Sequence, residues 1–168
     1  MTTLLLVRHG ETVDNVLQIM QGQTQGELNE KGREQAREVC SRLEDEAIDV
    51  FISSDLKRSL DTCRIIAEPH KAEVITTSLL RERDWGSFTG RFIPDLKDEP
   101  WPSDIESMGQ LKERARRFLE YVRKTYPGKR VLAVGHGIIN KAICSVFYGK
   151  PMNEIKRMEN AEVRILQI

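Results

Sequence analysis

Leu4-Leu5-Leu6-Val7 places four aliphatic residues in a row and leads directly into Arg8-His9-Gly10. A half-exposed strand alternates apolar with polar residues. An unbroken aliphatic run is therefore the mark of a strand covered on both faces, as in a parallel sheet flanked by helices. A second such run, Val131-Leu132-Ala133-Val134, ends in Gly135-His136-Gly137. The chain has only three histidines, and two of them stand where such a strand stops. Open α/β sheets take ligands at the carboxyl ends of their strands. There Arg8 supplies a permanent cation and His9 an imidazole. Gly10 allows the backbone to turn and a ligand to approach it.

The remaining elements follow in an alternating order. Residues 11–27 are polar, rich in Gln and Gly, and lack helical periodicity; a loop of that length in a compact domain tends to be functional. It carries Asn15, Gln21 and Gly22, whose amides can donate to an anion without adding charge. Gln23 and Gln25 are read as satisfying backbone groups. Asn29 is an N-cap for a helix to about Glu46, with Ala36, Val39, Cys40 and Leu43 as its buried stripe. A strand at 49–53 runs into a helix over Leu56, Leu60, Cys63 and Ile66. Arg58 falls in its first turn, where a cation costs a few tenths of a kcal/mol up to about 1 kcal/mol. That placement predicts an anion between Arg58 and the free helix amides. His70 is expected as an exposed loop residue.

A third strand covers 73–77. Residues 86–105, with three prolines and Trp101, are expected to form a short lid-like insertion, or else a surface excursion with Trp101 tucked against the core. Two capping boxes, Ser103 with Glu106 and Ser107 with Gln110, compete for the start of the next helix. That helix ends before Pro127. The strand carrying His136 follows, then a helix over 138–147 and a last strand over 163–168. The expectation is one domain over 1–168: a three-layer α/β sandwich with a central, mainly parallel sheet.

Composition narrows the function. With 26 basic and 26 acidic residues, the chain offers no nucleic-acid footprint and no polybasic membrane patch. No apolar run approaches the roughly 20 residues needed to span a bilayer, and the N-terminus enters a strand without a leader, which predicts a cytoplasmic chain. Cys40, Cys63 and Cys144 are odd in number and lie in apolar helical patterns, as reduced thiols packed in the core. Phosphoryl transfer to an imidazole needs a neutral nitrogen facing phosphorus, fixed cations on the oxygens and an acid for the leaving group. His9, with Arg8 and Arg58 as clamps and His136 as a further donor if protonated, supplies all but the acid.

The motifs resemble those of the histidine phosphatase superfamily, the phosphoglycerate mutase-like fold. They comprise Leu-Val-Arg8-His9-Gly10-Glu11-Thr12 with Asn15, Gln21-Gly22, Leu28-Asn29-Glu30-Lys31-Gly32 leading to Gln35-Ala36, Ser53 to Arg58 with Thr62, Leu80-Arg81-Glu82 with Gly86 and Gly90, Glu106-Ser107 with Arg114, and Gly135-His136-Gly137. In family order they span nearly the whole chain. The resemblance implies that His9 becomes phosphorylated and that Arg8, Arg58 and His136 line a phosphate pocket. It makes Glu82 the acid for the leaving group and the base for water, with Asn15 and Gln21 at the phosphate or substrate rim. Gly10, Gly22 and Gly137 would complete the pocket, without metal or cofactor. Glu11, the rival carboxyl, takes a structural place in the family pattern.

Two departures stand out. Gln25-Gly26-Glu27-Leu28 replaces the usual Asp-x-Pro-Leu, so that loop is expected to differ in shape. The lid is short and no tail follows the last strand, which favours hydrolysis over mutase chemistry. Against this, Glu82-Arg83-Asp84-Trp85-Gly86 matches the mutase pattern, in which the Arg (here Arg83) meets a substrate carboxylate. The leading expectation is a phosphatase of small phosphorylated metabolites, possible as an oligomer. The competing readings are a phosphoglycerate mutase-type transferase, an anion-binding module without turnover, and a metallohydrolase ligated by His9, His136 and Glu82.

Overall fold

The computed structural model describes residues 1–168. Five strands, β1 (Thr3–Arg8), β2 (Val50–Ser54), β3 (Val74–Thr77), β4 (Arg130–Gly135) and β5 (Val163–Gln167), form one sheet in the order β3-β2-β4-β1-β5. All neighbours are parallel except β5, which runs antiparallel to β1. The sheet is therefore mixed by one edge strand, and the α/β class read from the sequence holds.

The aliphatic runs do what their lack of alternation implies. Leu4 and Leu6 of β1, with Val131 and Ala133 of β4, join the core beneath helices α4 (Met108–Thr125) and α5 (Gly137–Tyr148). Leu5, Val7, Leu132 and Val134 point the other way, into the core shared with α2 (Glu30–Leu43) and α3 (Lys57–Ala67). Both strands are buried on both faces because alternate side chains serve different layers. Cys63 and Cys144 are buried and unpaired, and Cys40 is half-buried.

Local signals settle the boundaries. Asn29 caps α2 through Gly32 N. Ser107 with Gln110 forms a complete capping box and opens α4; the competing Ser103 box does not form, because Glu106 is engaged by Arg114 instead. The loop after β1 contains a one-turn helix absent from the sequence reading, α1 (Val13–Leu17), closed by a Thr12/Asn15 box. The 86–105 stretch is laced to residues 18–20, with Met20 N donating to Arg91 O at 2.9 Å and Ile93 N to Gln18 O at 2.8 Å. No helix is long and apolar enough to cross a membrane.

One single-residue expectation, at His70, and one alternative reading, at Trp101, fail. His70 is half-buried at the end of a 3-10 turn, its ring 5.0 Å from that of Phe51. Trp101 is 60% exposed instead of tucked into the core, standing edge-on to Trp85.

Candidate active site

β1 and β4 are adjacent, parallel and paired Arg8 to Gly135. That register puts the next residue of each strand, His9 and His136, side by side. Their ring centroids are 5.1 Å apart. The sheet thus converts two distant Gly-flanked histidines into one imidazole pair at the switch point between oppositely directed connections.

His9 Nδ1 lies 2.7 Å from its neighbour's carbonyl, Gly10 O. A carbonyl can only accept, so the ring proton is held on Nδ1 and the lone pair is on Nε2. Burial, with Arg58 and Arg8 close by, holds His9 well below the ordinary imidazole range. The ring is neutral at physiological pH, the state a nucleophile needs.

His136 is fully buried and is likewise held well below its ordinary value, first by burial and then by Arg58. Its Nε2 is 2.9 Å from Ser54 Oγ, and that hydroxyl already accepts Leu56 N–H. His136 Nδ1 has no partner.

Arg58, only 1% exposed, enters the protein interior from α3. Its guanidinium donates to the carbonyls of Gly22, Thr24 and Gln25. Gly26 leaves room for it, since a Cβ there would stand 2.8 Å from Arg58 Cδ. These carbonyls offset the cation in the first turn and fix its orientation. Gln25 caps α3 as well, its Oε1 accepting Lys57 N, and Gln23 Nε2 donates to Glu82 O. Burial brings Arg58 down to about 10, still charged at neutral pH. Arg8 donates to Met158 O at 2.8 Å and is also lowered by burial and by Arg157.

The Glu82 carboxylate sits across the N-terminus of α5. Oε1 accepts Ile139 N at 3.0 Å and Arg83 N at 2.8 Å; Oε2 accepts Ile138 N at 3.1 Å. Oε2, with a single partner, is the oxygen with room for a proton. Behind it, Arg114 donates to the carbonyls of Leu79, Arg81 and Glu82 while paired with Glu106, both largely buried. The acid is pinned by its own backbone. Glu11 instead anchors the start of α2 by accepting Asn29 Nδ2.

Arg8, His9, Arg58 and Glu82 line one cavity of about 220 Å³ together with Asn15, Gln21 and Gly22. Asn15 Oδ1 and Gln21 Oε1 both accept from Thr12, which leaves their NH₂ groups as free donors. The other expected site residues lie outside that lining. Gly10 packs on α2, where a Cβ would stand 2.4 Å from Gly32 O, so the close approach it permits is to backbone. Gly137 makes room for two guanidiniums, those of Arg157 and Arg8. Arg83 is buried, donates to Glu106 O and lies 4.9 Å over Trp85 and 5.2 Å over Trp101. Its place between two indoles removes it from the cavity wall. No three His, Cys, Asp or Glu side chains converge as metal ligands, and the guanidiniums beside His9 and His136 would repel a divalent cation.

A model of the histidine phosphatase superfamily, branch 1, matches residues 4–168. The chain belongs to that superfamily. It is 34% identical over 166 residues to the uncharacterized phosphatase PhoE of Bacillus subtilis, covering 96% of this chain and 86% of that protein. To the probable phosphoglycerate mutase GpmB of Shigella boydii it is 35% identical over 172 residues, covering 94% and 80%. Among solved structures, the mycobacterial glucosyl-3-phosphoglycerate phosphatase with VO3 superposes with a TM-score of 0.91 at 28% identity, over 98% of this chain and 92% of that one.

The cavity has parts that sequence reasoning missed. Arg157, Trp85, Ile19, Met20, Ile93 and Ile138 also line the cavity, and Asn160 Nδ2 donates to His9 O. One signal was available for Arg157 and Asn160. A last strand paired antiparallel to β1 must deliver the residues before it to the carboxyl end of β1.

Proposed function

We propose that this histidine phosphatase hydrolyses phosphate monoesters of small metabolites through a phosphohistidine on His9, without metal. The observation that carries the reading is a concentration of unpartnered donors. Arg8 Nε and Arg58 Nε are buried N–H groups without a hydrogen-bond acceptor, and His136 Nδ1 beside them also lacks a partner. A buried donor left unpaired costs about 1–3 kcal/mol, and two of them on guanidiniums that line the cavity with His9 favour an oxyanion there.

The steps balance with the residues present. His9 Nε2 attacks phosphorus as the P–O bond to the leaving group breaks, and Glu82 delivers its proton to the departing oxygen. Arg8 and Arg58, anchored by carbonyls, stay fixed while charge shifts across the three phosphoryl oxygens. Glu82 then takes a proton from water, whose oxygen attacks phosphorus as the N–P bond breaks. Phosphate leaves and Glu82 is again protonated for the next cycle.

Replacing His9 by Ala is expected to lower kcat for a generic aryl phosphate by about 10⁴-fold or more, as for loss of other covalent nucleophiles. Retained turnover would reject the reading. A mutase is the second reading, favoured by the relatives named GpmB and by the Glu82-Arg83 motif. The withdrawal of Arg83 between Trp85 and Trp101 speaks against it. With a phosphoglycerate as substrate, net release of inorganic phosphate supports the hydrolase, and positional transfer with little release supports the mutase.

A further inference from the structure

The reacting groups do not all stand on equal footings. His9 and His136 follow directly on strands, and Arg58 projects from α3. Glu82 instead sits in irregular chain, between the 3-10 turns Ser78–Leu80 and Gly86–Phe88. A group that hands over a proton must be held in place closely, and loops hold side chains less well than helices and strands. The missing support comes from α4. Arg114 lies on that helix between the fully buried Leu111 and Ala115, so its base is fixed in the core.

Arg114 reaches from there to the chain on both sides of the acid. Nη1 donates to Leu79 O at 3.0 Å and Arg81 O at 2.6 Å, and Nη2 to Glu82 O at 3.3 Å. Nε and Nη2 also hold the Glu106 carboxylate at 3.0 and 2.9 Å. Glu106 in turn grips the residues after the acid: its Oε1 accepts Asp84 N, and its carbonyl accepts Arg83 Nε. The peptide joining Glu82 to Arg83 is the focus of this bracing. A trans peptide points its C=O and N–H in opposite directions. The oxygen receives Arg114 and Gln23 Nε2, while the N–H donates to Glu82 Oε1 at 2.8 Å. Fixing the oxygen thus aims the N–H at the acid's own carboxylate. Gln23 belongs to the loop whose carbonyls hold Arg58, so the same peptide ties the acid to the phosphate clamp.

We propose that Arg114, paired with Glu106 and assisted by Gln23, is a positioning residue for proton transfer to the leaving group, acting through the Glu82–Arg83 peptide. The proposal rests on the hydrolase reading above. None of the three touches the phosphoryl group, so their effect is confined to the step that needs the acid.

The test is the ratio of kcat/KM for an alkyl phosphate, β-glycerophosphate, to that for p-nitrophenyl phosphate. The alkoxide must be protonated as it leaves, whereas nitrophenolate departs with little help. Loss of folded protein lowers both values by one factor and leaves the ratio alone. The variants are Arg114→Lys, Gln23→Leu and the double change Glu106→Gln with Arg114→Gln, which leaves no buried charge without its partner. The ratio is expected to fall about tenfold or more in Arg114→Lys and in the double variant. In Gln23→Leu, which removes one uncharged donor, it should fall about threefold. A ratio unmoved in Arg114→Lys and Gln23→Leu would overturn the proposal; should Arg114→Lys fail to fold, an unmoved Gln23→Leu ratio does so alone. Wild type inactive on both esters would instead remove the hydrolase reading, and the proposal with it.

Discussion

The two ends of the cavity are built differently. The phosphate end stands on the tips of β1 and β4, with His9 and His136 almost fully buried and each guanidinium fastened to backbone carbonyls. The mouth is assembled from the loops at 15–22, 85–93 and 157, with Ile93 44% exposed and Arg157 facing water. Rigid strand tips fix the geometry that charge transfer demands, whereas loops can vary without disturbing it. The difference implies that damage at the phosphate end appears in kcat, and damage at the mouth in KM and substrate preference.

The largest effect expected after loss of His9 itself is at the acid. Glu82→Gln keeps an oxygen for the α5 amides but cannot shuttle a proton, and kcat should fall about 10²–10⁴-fold. The fall should be steeper for alkyl than for nitrophenyl phosphates, since a good leaving group needs less protonation. Equal losses on both would place Glu82 outside proton transfer.

The buried imidazole pair adds a stability signature that the mouth lacks. Both rings titrate well below their ordinary value when folded, chiefly through burial, and return to about 6.5 when unfolded. Below pH 6.5 the unfolded chain thus binds more protons. Stability is full above about pH 6.5 and is lost as pH falls, by about 1.4 kcal/mol per pH unit for each histidine. Denaturant midpoints between pH 7.5 and 5.5 measure this. In His9→Ala the slope should drop by about half, and an unchanged slope would mean that His9 is not held neutral.

At the mouth the effect is small. Trp101, largely exposed, lines a neighbouring groove of about 390 Å³ that shares Met20, Trp85 and Ile93 with the cavity. Trp101→Ala should raise KM for an aryl phosphate a few-fold and move stability by no more than about 0.5 kcal/mol. A fall in kcat with KM unchanged would erase the division between the two ends.

The same division governs what could be read in the sequence. Uninterrupted aliphatic runs give no choice but strands covered on both faces, so β1, β4 and the histidines after them were visible at once. So was the Asn29 cap of α2. Arg58 was visible as an anomaly, but its solution was not. The carbonyls that hold it come from a loop more than thirty residues away, folded by Gly22 and Gly26 at positive φ, and no local pattern encodes that approach. Arg83 misled because a motif fixes where a side chain starts and not where it points. Two indoles supplied a better surface for its guanidinium than the cavity did. Arg157 lies in a polar stretch without periodicity, and only the antiparallel return of β5 brings it to the site.

The central claim is a covalent bond between phosphorus and His9. It is tested most directly by quenching turnover of a phosphate ester in base and mapping phosphoryl groups by mass spectrometry. The account predicts modification of the peptide bearing His9, stable in base and lost in acid, and absent in His9→Ala. Full turnover with no phosphorylated His9, or with phosphate on another side chain, would contradict it.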